Sequence, residues 1–312
     1  MMMRHPDRLP ARLTLGAIAA FVLGCGDATA PRDRPGADAT TLPAQPIVFA
    51  RFGSIGWDIV RVNPDGTGEI TLTTNPGDDI YPSWSPDRTT IAFLSSRPDG
   101  AGVYTMNGDG SDQRLAFVPS GMAYMRAKPA WTPDKQWLAY GDGYSVTRTR
   151  IDGTDPRVLG AGDAPSWSPD GQRIVFESGG VFSTSDSILV ANSDGGDRRL
   201  VAESGLDPAW SPDGRRIAYA SGQWAQSYIY TVNIDGSDRR QVTTDMAESP
   251  VTTDLSPTWS PDGKWLAFQR EYQVCSGQTK SCSGSYDIFV IRADGTDLHK
   301  VTSGGTNVRP SW

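Results

Sequence analysis

Histidine and cysteine carry much of the chemistry of enzymes and metal sites, and this 312-residue chain has two of the first and three of the second. His5 lies in a basic N-terminal stretch, which leaves His299, within "DLHKVT", as the imidazole that could shuttle a proton near neutral pH. A Ser-His-Asp triad would have to use it, yet no G-x-S-x-G elbow occurs. No glycine-rich phosphate loop and no dinucleotide fingerprint opens a helix. His299 is therefore read as a surface residue on an outer strand. No catalytic residue, cofactor or metal ligand is assigned, and the chain is read as a non-enzyme.

Acidic residues are more plentiful. "NGDGSD", "NSDGGD", "NIDGSD" and "RADGTD" recur, and the first sets oxygen-bearing side chains at alternate positions, as calcium loops do. The full twelve-residue loop with its closing Glu is missing. Asn and Asp-Gly suit tight turns on conformational grounds alone, so all four are read as turns and chelator is expected to leave the melting temperature unmoved. Scattered carboxylates leave paired acid–base chemistry open as an alternative. Cys275 and Cys282, inside "VCSGQTKSC", are expected to form a disulfide across one long loop if the chain is exported.

The elements that must position any site are marked by repetition. "PSWSPDRTTIAFLS", "PSWSPDGQRIVFES", "PAWSPDGRRIAYAS" and "PTWSPDGKWLAFQR" are versions of one phrase. Trp84, Trp131, Trp167, Trp210, Trp259 and Trp312 stand in register, each two residues after a proline. Five intervals over 228 residues average about 46, near the 40–45 residues of a four-stranded propeller blade. Each unit has a short strand "P-x-W-S", a "PDG" turn and an apolar strand such as "RIVFES". A variable connection, a third strand such as "DIFVIR", an Asp-Gly turn and a fourth strand follow. Pro pre-sets φ in the first turn and Gly accepts the left-handed conformation after it. Arg88 and Lys135 take that Gly position in two copies, at about 1 kcal/mol each. Residues 46 onward begin with strands two to four of a unit and finish with "NVRPSW", a first strand. The expected fold is an all-β, six-bladed propeller over 46–312, with the terminal strands sharing one blade. The six tryptophans are expected to pack between neighbouring blades.

The pattern P-x-W-S-P-D-G, then I-A-F, then D-G-S resembles the TolB-type, WD-like propeller repeat, across 46–312. The best-known member is the periplasmic propeller of the Tol-Pal envelope system, which the resemblance makes a guide to fold and setting. Its separate N-terminal α/β domain has no counterpart in this sequence. Instead, Arg4, Arg8 and Arg12 precede the apolar "LTLGAIAAFVLG", the layout of a secretory signal over residues 1–24. The "VLGC" that follows resembles a bacterial lipobox, although Leu23 is bulkier than the usual residue, and implies lipidation of Cys25. Gly26 after it favours the outer membrane by the same resemblance. Residues 25–45 carry almost no large apolar side chain and are read as a flexible tether. The whole chain has a net charge of −7, and without residues 1–24 it keeps 26 basic and 35 acidic residues, a net of −9. Such a chain is repelled by nucleic acid and by anionic lipid, which leaves a lipid anchor as its expected membrane association.

Within each unit the first and third connections are short and alike, whereas the second and the inter-unit links are long and individual. One face is thus stereotyped and the other varied, and function on rigid scaffolds tends to sit on varied loops. Met122, Tyr124, Met125, Arg126, Trp224, Arg270 and Tyr272 lie in or beside these loops and are of types that interfaces favour. The expected function is a lipid-anchored, monomeric envelope module that binds a protein or peptide through this face. The alternative is a carbohydrate-binding or glycan-active propeller that uses the central pocket.

Overall fold

β-Branched and aromatic runs broken by Pro-Asp and Asp-Gly turns favour short antiparallel strands, and that is how the chain folds. The computed structural model describes residues 41–119, 127–179, 186–223, 226–245, 252–275 and 282–312. Cys25, the targeting segment 1–24, and the loop residues Met122, Tyr124, Met125, Arg126 and Trp224 lie outside the described residues. The first strands are β1 (Ile47–Phe52), β2 (Trp57–Val62) and β3 (Ile70–Thr71). Next come β4 (Asp79–Trp84), β5 (Thr90–Ser95), β6 (Gly102–Asn107) and β7 (Arg114–Phe117). They are followed by β8 (Ala130–Trp131), β9 (Trp137–Gly141), β10 (Ser145–Arg150) and β11 (Arg157–Ala161). After these stand β12 (Asp163–Trp167), β13 (Arg173–Glu177), β14 (Ile188–Asn192) and β15 (Arg199–Ala202). Further on are β16 (Leu206–Trp210), β17 (Arg216–Gln223), β18 (Gln226–Asn233) and β19 (Arg240–Gln241). The last are β20 (Thr252–Trp259), β21 (Trp265–Cys275), β22 (Cys282–Arg292), β23 (His299–Lys300) and β24 (Asn307–Ser311). No helix occurs among the described residues.

The result is an all-β propeller. Strands β4–β7, β8–β11 and β12–β15 each form a four-stranded sheet, and β24 pairs antiparallel with β1 to complete a fourth with β2 and β3. The remaining sheet has eight strands rather than two separate sets of four. Strands β16–β19 and β20–β23 are each antiparallel, and one parallel pair, Ser227 with Thr253, joins them. The physical reason is strand length. β18 and β20 each run eight residues, beyond the ends of their counterparts, and meet there. Two connections read as loops are likewise long hairpins, because pairing continues to Gln223 with Gln226 and to Cys275 with Cys282. Arg270 and Tyr272 therefore belong to β21 rather than to a loop.

Innermost strands β24, β4, β8, β12, β16 and β20 lie beside one another in cyclic succession. Between successive sheets sit apolar clusters, each with one of the six tryptophans, all at most 8% exposed. Trp84, for example, packs with Val48 and Ile59 of the preceding sheet and Ile91 and Phe93 of its own. Trp312 joins Ile47 and Phe49, in the sheet that β24 and β1 complete, to Ile288 and Val290 of β22 in the neighbouring sheet. Each such ring takes about 150–250 Å² out of water.

The turns follow the residue types that specify them. After Trp84, the Ser85 hydroxyl donates to Asp87 Oδ1 at 2.7 Å and accepts from the Thr90 N–H at 3.0 Å. Ser168 and Ser211 repeat this with Asp170 and Asp213, both at 2.6 Å. Arg88 and Lys135 stand at φ 63° and 58°, the left-handed conformation that Gly171, Gly214 and Gly263 take in the other copies. In the second turn, Asp109, Asp235 and Asp294 accept from both the hydroxyl and the N–H of the residue two further on. Their carboxylates thereby serve the backbone, and these bonds hold the carboxyls below the usual carboxylate range.

Candidate functional site

A bulge in the innermost strand builds the site. Register slips between Ile80 and Ser83, Asp163 and Ser166, Leu206 and Ala209, and Leu255 and Thr258. Each slip falls around the residue before the "P-x-W" proline. Tyr81, Ala164, Asp207, Ser256 and Arg309 have φ between 49° and 60°. For L-residues that conformation costs about 1–2 kcal/mol, and a following proline restricts the residue further. Bulges re-aim side chains, and left-handed non-glycine residues persist only where their surroundings over-determine them.

These side chains converge. Tyr81, Lys128, Ala164, Asp207, Ser256 and Arg309 line one cavity of about 30 Å³, together with several of the prolines that follow them. The six come from, or immediately precede, the six innermost strands, so the cavity lies on the axis of the ring. Asp79 pairs with Ser95 at the end of β5, and Asp163 pairs with Glu177 at the end of β13. The cavity therefore lies toward the strand ends from which the variable connections leave.

Its polar groups divide into a bonded set and a free one. The Ser256 hydroxyl donates to Asp207 Oδ2 at 2.8 Å. Arg309 Nη1 lies 3.1 Å from the same oxygen and 2.9 Å from Ser256 Oγ, while its guanidinium sits 5.3 Å from the Tyr81 ring centre. The Asp207 N–H donates to Glu177 Oε2 at 3.1 Å. Burial, reinforced by the charges of Asp207 and Asp163, pushes the Glu177 carboxyl well above its ordinary range. Lys128 makes no hydrogen bond or ion pair with a described residue. Burial brings its ammonium down to about 8, a shift that Asp207 opposes and Arg309 assists.

Arg270 is fully buried, with Nε and Nη2 each 2.6 Å from a carboxylate oxygen of Asp254. This corrects its reading as a loop cation, because its guanidinium is committed to an internal pair. Tyr272 donates to Asp287 Oδ2 at 2.7 Å and receives Lys300 Nζ at 2.6 Å, so it too is engaged within its own sheet. His299 is exposed on β23, with its ring 6.0 Å from that of Trp265. Cys275 and Cys282 are direct register partners at the end of the β21–β22 hairpin. Among the described residues no group of three or more His, Cys, Asp or Glu side chains could hold a metal ion.

The axial residues escaped the reading of variable loops because they lie inside the repeated phrase. A signal was nevertheless present. The position before the first proline reads Tyr, Lys, Ala, Asp, Ser and Arg in the six copies, three residues before an invariant Trp.

A family model described as "TolB beta propeller domain" matches residues 141–312. The "Uncharacterized peptidase YuxL" of Bacillus subtilis is 33% identical over 98 residues, which cover 28% of this chain and 14% of that protein. The "Tol-Pal system protein TolB" of Geobacter sulfurreducens is 32% identical over 78 residues, covering 25% of this chain and 17% of that one. The chain thus spans less than a fifth of the length of either relative. The structure of TolB from Acinetobacter baumannii superposes with a TM-score of 0.67 at 15% identity, over 86% of this chain and 66% of that one.

Proposed function

This chain belongs to the TolB beta propeller domain family, and on that premise we propose that it is a protein-binding module of the bacterial envelope. It engages its partner over the face where the axial cavity and the variable connections meet. The observation that carries this reading is the convergence of six different side chains, one per repeat, on one cavity. Five of them stand at positive φ, a conformation that L-residues rarely adopt. The relative named for the Tol-Pal system supports the envelope setting.

The eight-stranded sheet is read as two blades, giving six in all. Support comes from its single parallel link and from the six inter-sheet clusters with one tryptophan each. The module works as a monomer, tethered by residues 25–45 to a lipid on Cys25, in the outer membrane. "VLGC" and the polar composition of the tether support this. A disulfide between Cys275 and Cys282 staples the long hairpin, a reading supported by their opposition in register.

Crosslinking with mass spectrometry on native envelopes tests the main reading. Crosslinks to a protein partner are expected on segments 120–126, 180–185, 246–251 and 276–281. Crosslinks confined to the Pro-Asp-Gly turns of the opposite face would overturn it. Labelling with a palmitate analogue tests the anchor, and label that persists in Cys25→Ser removes it.

A second reading, a glycan-active pocket, draws on Glu177, a carboxyl whose pKa burial and the charges of Asp207 and Asp163 push up, as the environments of general acids do. Turnover on a glycan panel that is lost in Glu177→Gln would favour it over the first.

A further inference from the structure

The chemistry of the partner follows from the axial cavity, on the premise that the module binds protein. Asp207 is already committed to Ser256 and Arg309. Arg309 spends Nη1 on those two and has its Nε and Nη2 edge free of hydrogen bonds among the described residues. Lys128 brings a second cation to the same cavity with no partner at all among the described residues. Lys128 and Arg309 line this cavity with the single carboxylate of Asp207, among walls that are otherwise mostly proline and alanine, while Glu177 and Asp163 act on Arg309 from behind the lining. Both cations are half-buried, and a hydrogen-bonded opposite charge relieves the cost of their partial desolvation.

Size restricts what can supply that charge. A cavity of about 30 Å³ holds about two water-sized atoms, room enough for the two oxygens of a carboxylate. We propose that the axial cavity receives the carboxylate of a Glu or Asp side chain from a protein partner, held by Lys128 and the free edge of Arg309. The prolines keep water from the pair, and the Tyr81 ring backs the Arg309 guanidinium. The partner inserts an acidic side chain at the axis, while the variable connections meet the surrounding surface.

The test titrates the full chain with N-acetyl-glutamate N-methylamide, its glutamine analogue and glucuronate, followed by NMR. The glutamate probe is expected to bind about tenfold more tightly than the glutamine probe, as charged hydrogen bonds do over neutral ones. That margin should vanish in Lys128→Met and survive in Lys128→Arg, with both variants melting as cooperatively as the wild type. Equal affinity for the two amino-acid probes would overturn the proposal, as would an unchanged margin in Lys128→Met. Tighter binding of glucuronate would also overturn it, by assigning the cavity to sugar acids. The envelope crosslinking run in parallel separates the two levels. A partner crosslinked equally by wild type and Lys128→Met removes the acidic anchor and leaves the binding module intact. Absence of any protein crosslink on the variable face removes the module reading itself.

Discussion

Two sets of six residues lie three positions apart on the same innermost strands or within two residues of them and do opposite things. Trp84, Trp131, Trp167, Trp210, Trp259 and Trp312 are one residue type, turned between sheets and buried in apolar clusters. Tyr81, Lys128, Ala164, Asp207, Ser256 and Arg309 differ in every copy and are turned to the axis. The bulge at the intervening proline separates them, since without it a period of two would fix which residues share a face. Invariance within the repeat thus marks what builds the ring, and variation beside it marks what faces the axial cavity. An internal repeat can carry both messages in four consecutive residues.

The contrast can be broken by single substitutions. Trp167→Ala should cost about 3–5 kcal/mol in urea unfolding, because it empties the cluster formed with Ala139, Ile174 and Phe176. Three residues earlier, Ala164→Gly should change stability by less than about 1 kcal/mol. Relief at φ 49° offsets the greater chain entropy that Gly loses on folding. Similar costs for the two would abolish the division between builder and reader positions. Arg270→Ala should lose about 3–5 kcal/mol, since it strands the buried Asp254 carboxylate, and a loss below about 1 kcal/mol would return Arg270 to the exposed set.

Lys128 offers a pH test of the same division. Its folded pKa of about 8 lies below the ordinary lysine value of 10.5, so above pH 8 the unfolded chain binds more protons than the folded one. Stability attributable to Lys128 should therefore rise between about pH 8 and 10.5 and be flat below that window. Asp207 opposes the shift, whereas Arg309 adds to it. Lys128→Met should remove the rise, read as the difference between the two proteins' melting temperatures across that range. An unchanged difference would mean that Lys128 stands in water and not in the axial cavity. The smallest effect is expected at Lys135, where Gly should gain less than about 1 kcal/mol. It relieves φ 58° but gives up the exposed ion pair with Asp87.

Much of this architecture was legible in the residues. Trp spacing gave the blade period, and Pro-Asp-Gly and Asp-Gly gave the turns, because both signals act over a few residues and depend on φ preferences that the residue itself carries. The pairing of "NVRPSW" with "IVFAR" was legible because two incomplete units complement each other. Strand ends were not legible in the same way. "SGQWAQS" and "REYQVC" read as loops, yet most of both belongs to extended hairpins, since pairing beyond a blade depends on the neighbouring strand. Arg270 illustrates the point. Nothing in "FQREY" reveals that Asp254, sixteen residues earlier, stands opposite it and draws it inside.

The sequence by itself determined the blade, because hydrophobic pattern and turn chemistry are local and were written six times. It also placed an individual residue before each proline. Only the tertiary structure decided what that residue is for. A bulge turns it from the sheet face to the axis, and ring closure brings six positions from distant parts of the chain around one small cavity. Ring closure also sets Lys128 beside Arg309 and Asp207, and thereby creates a cation with no partner among the described residues.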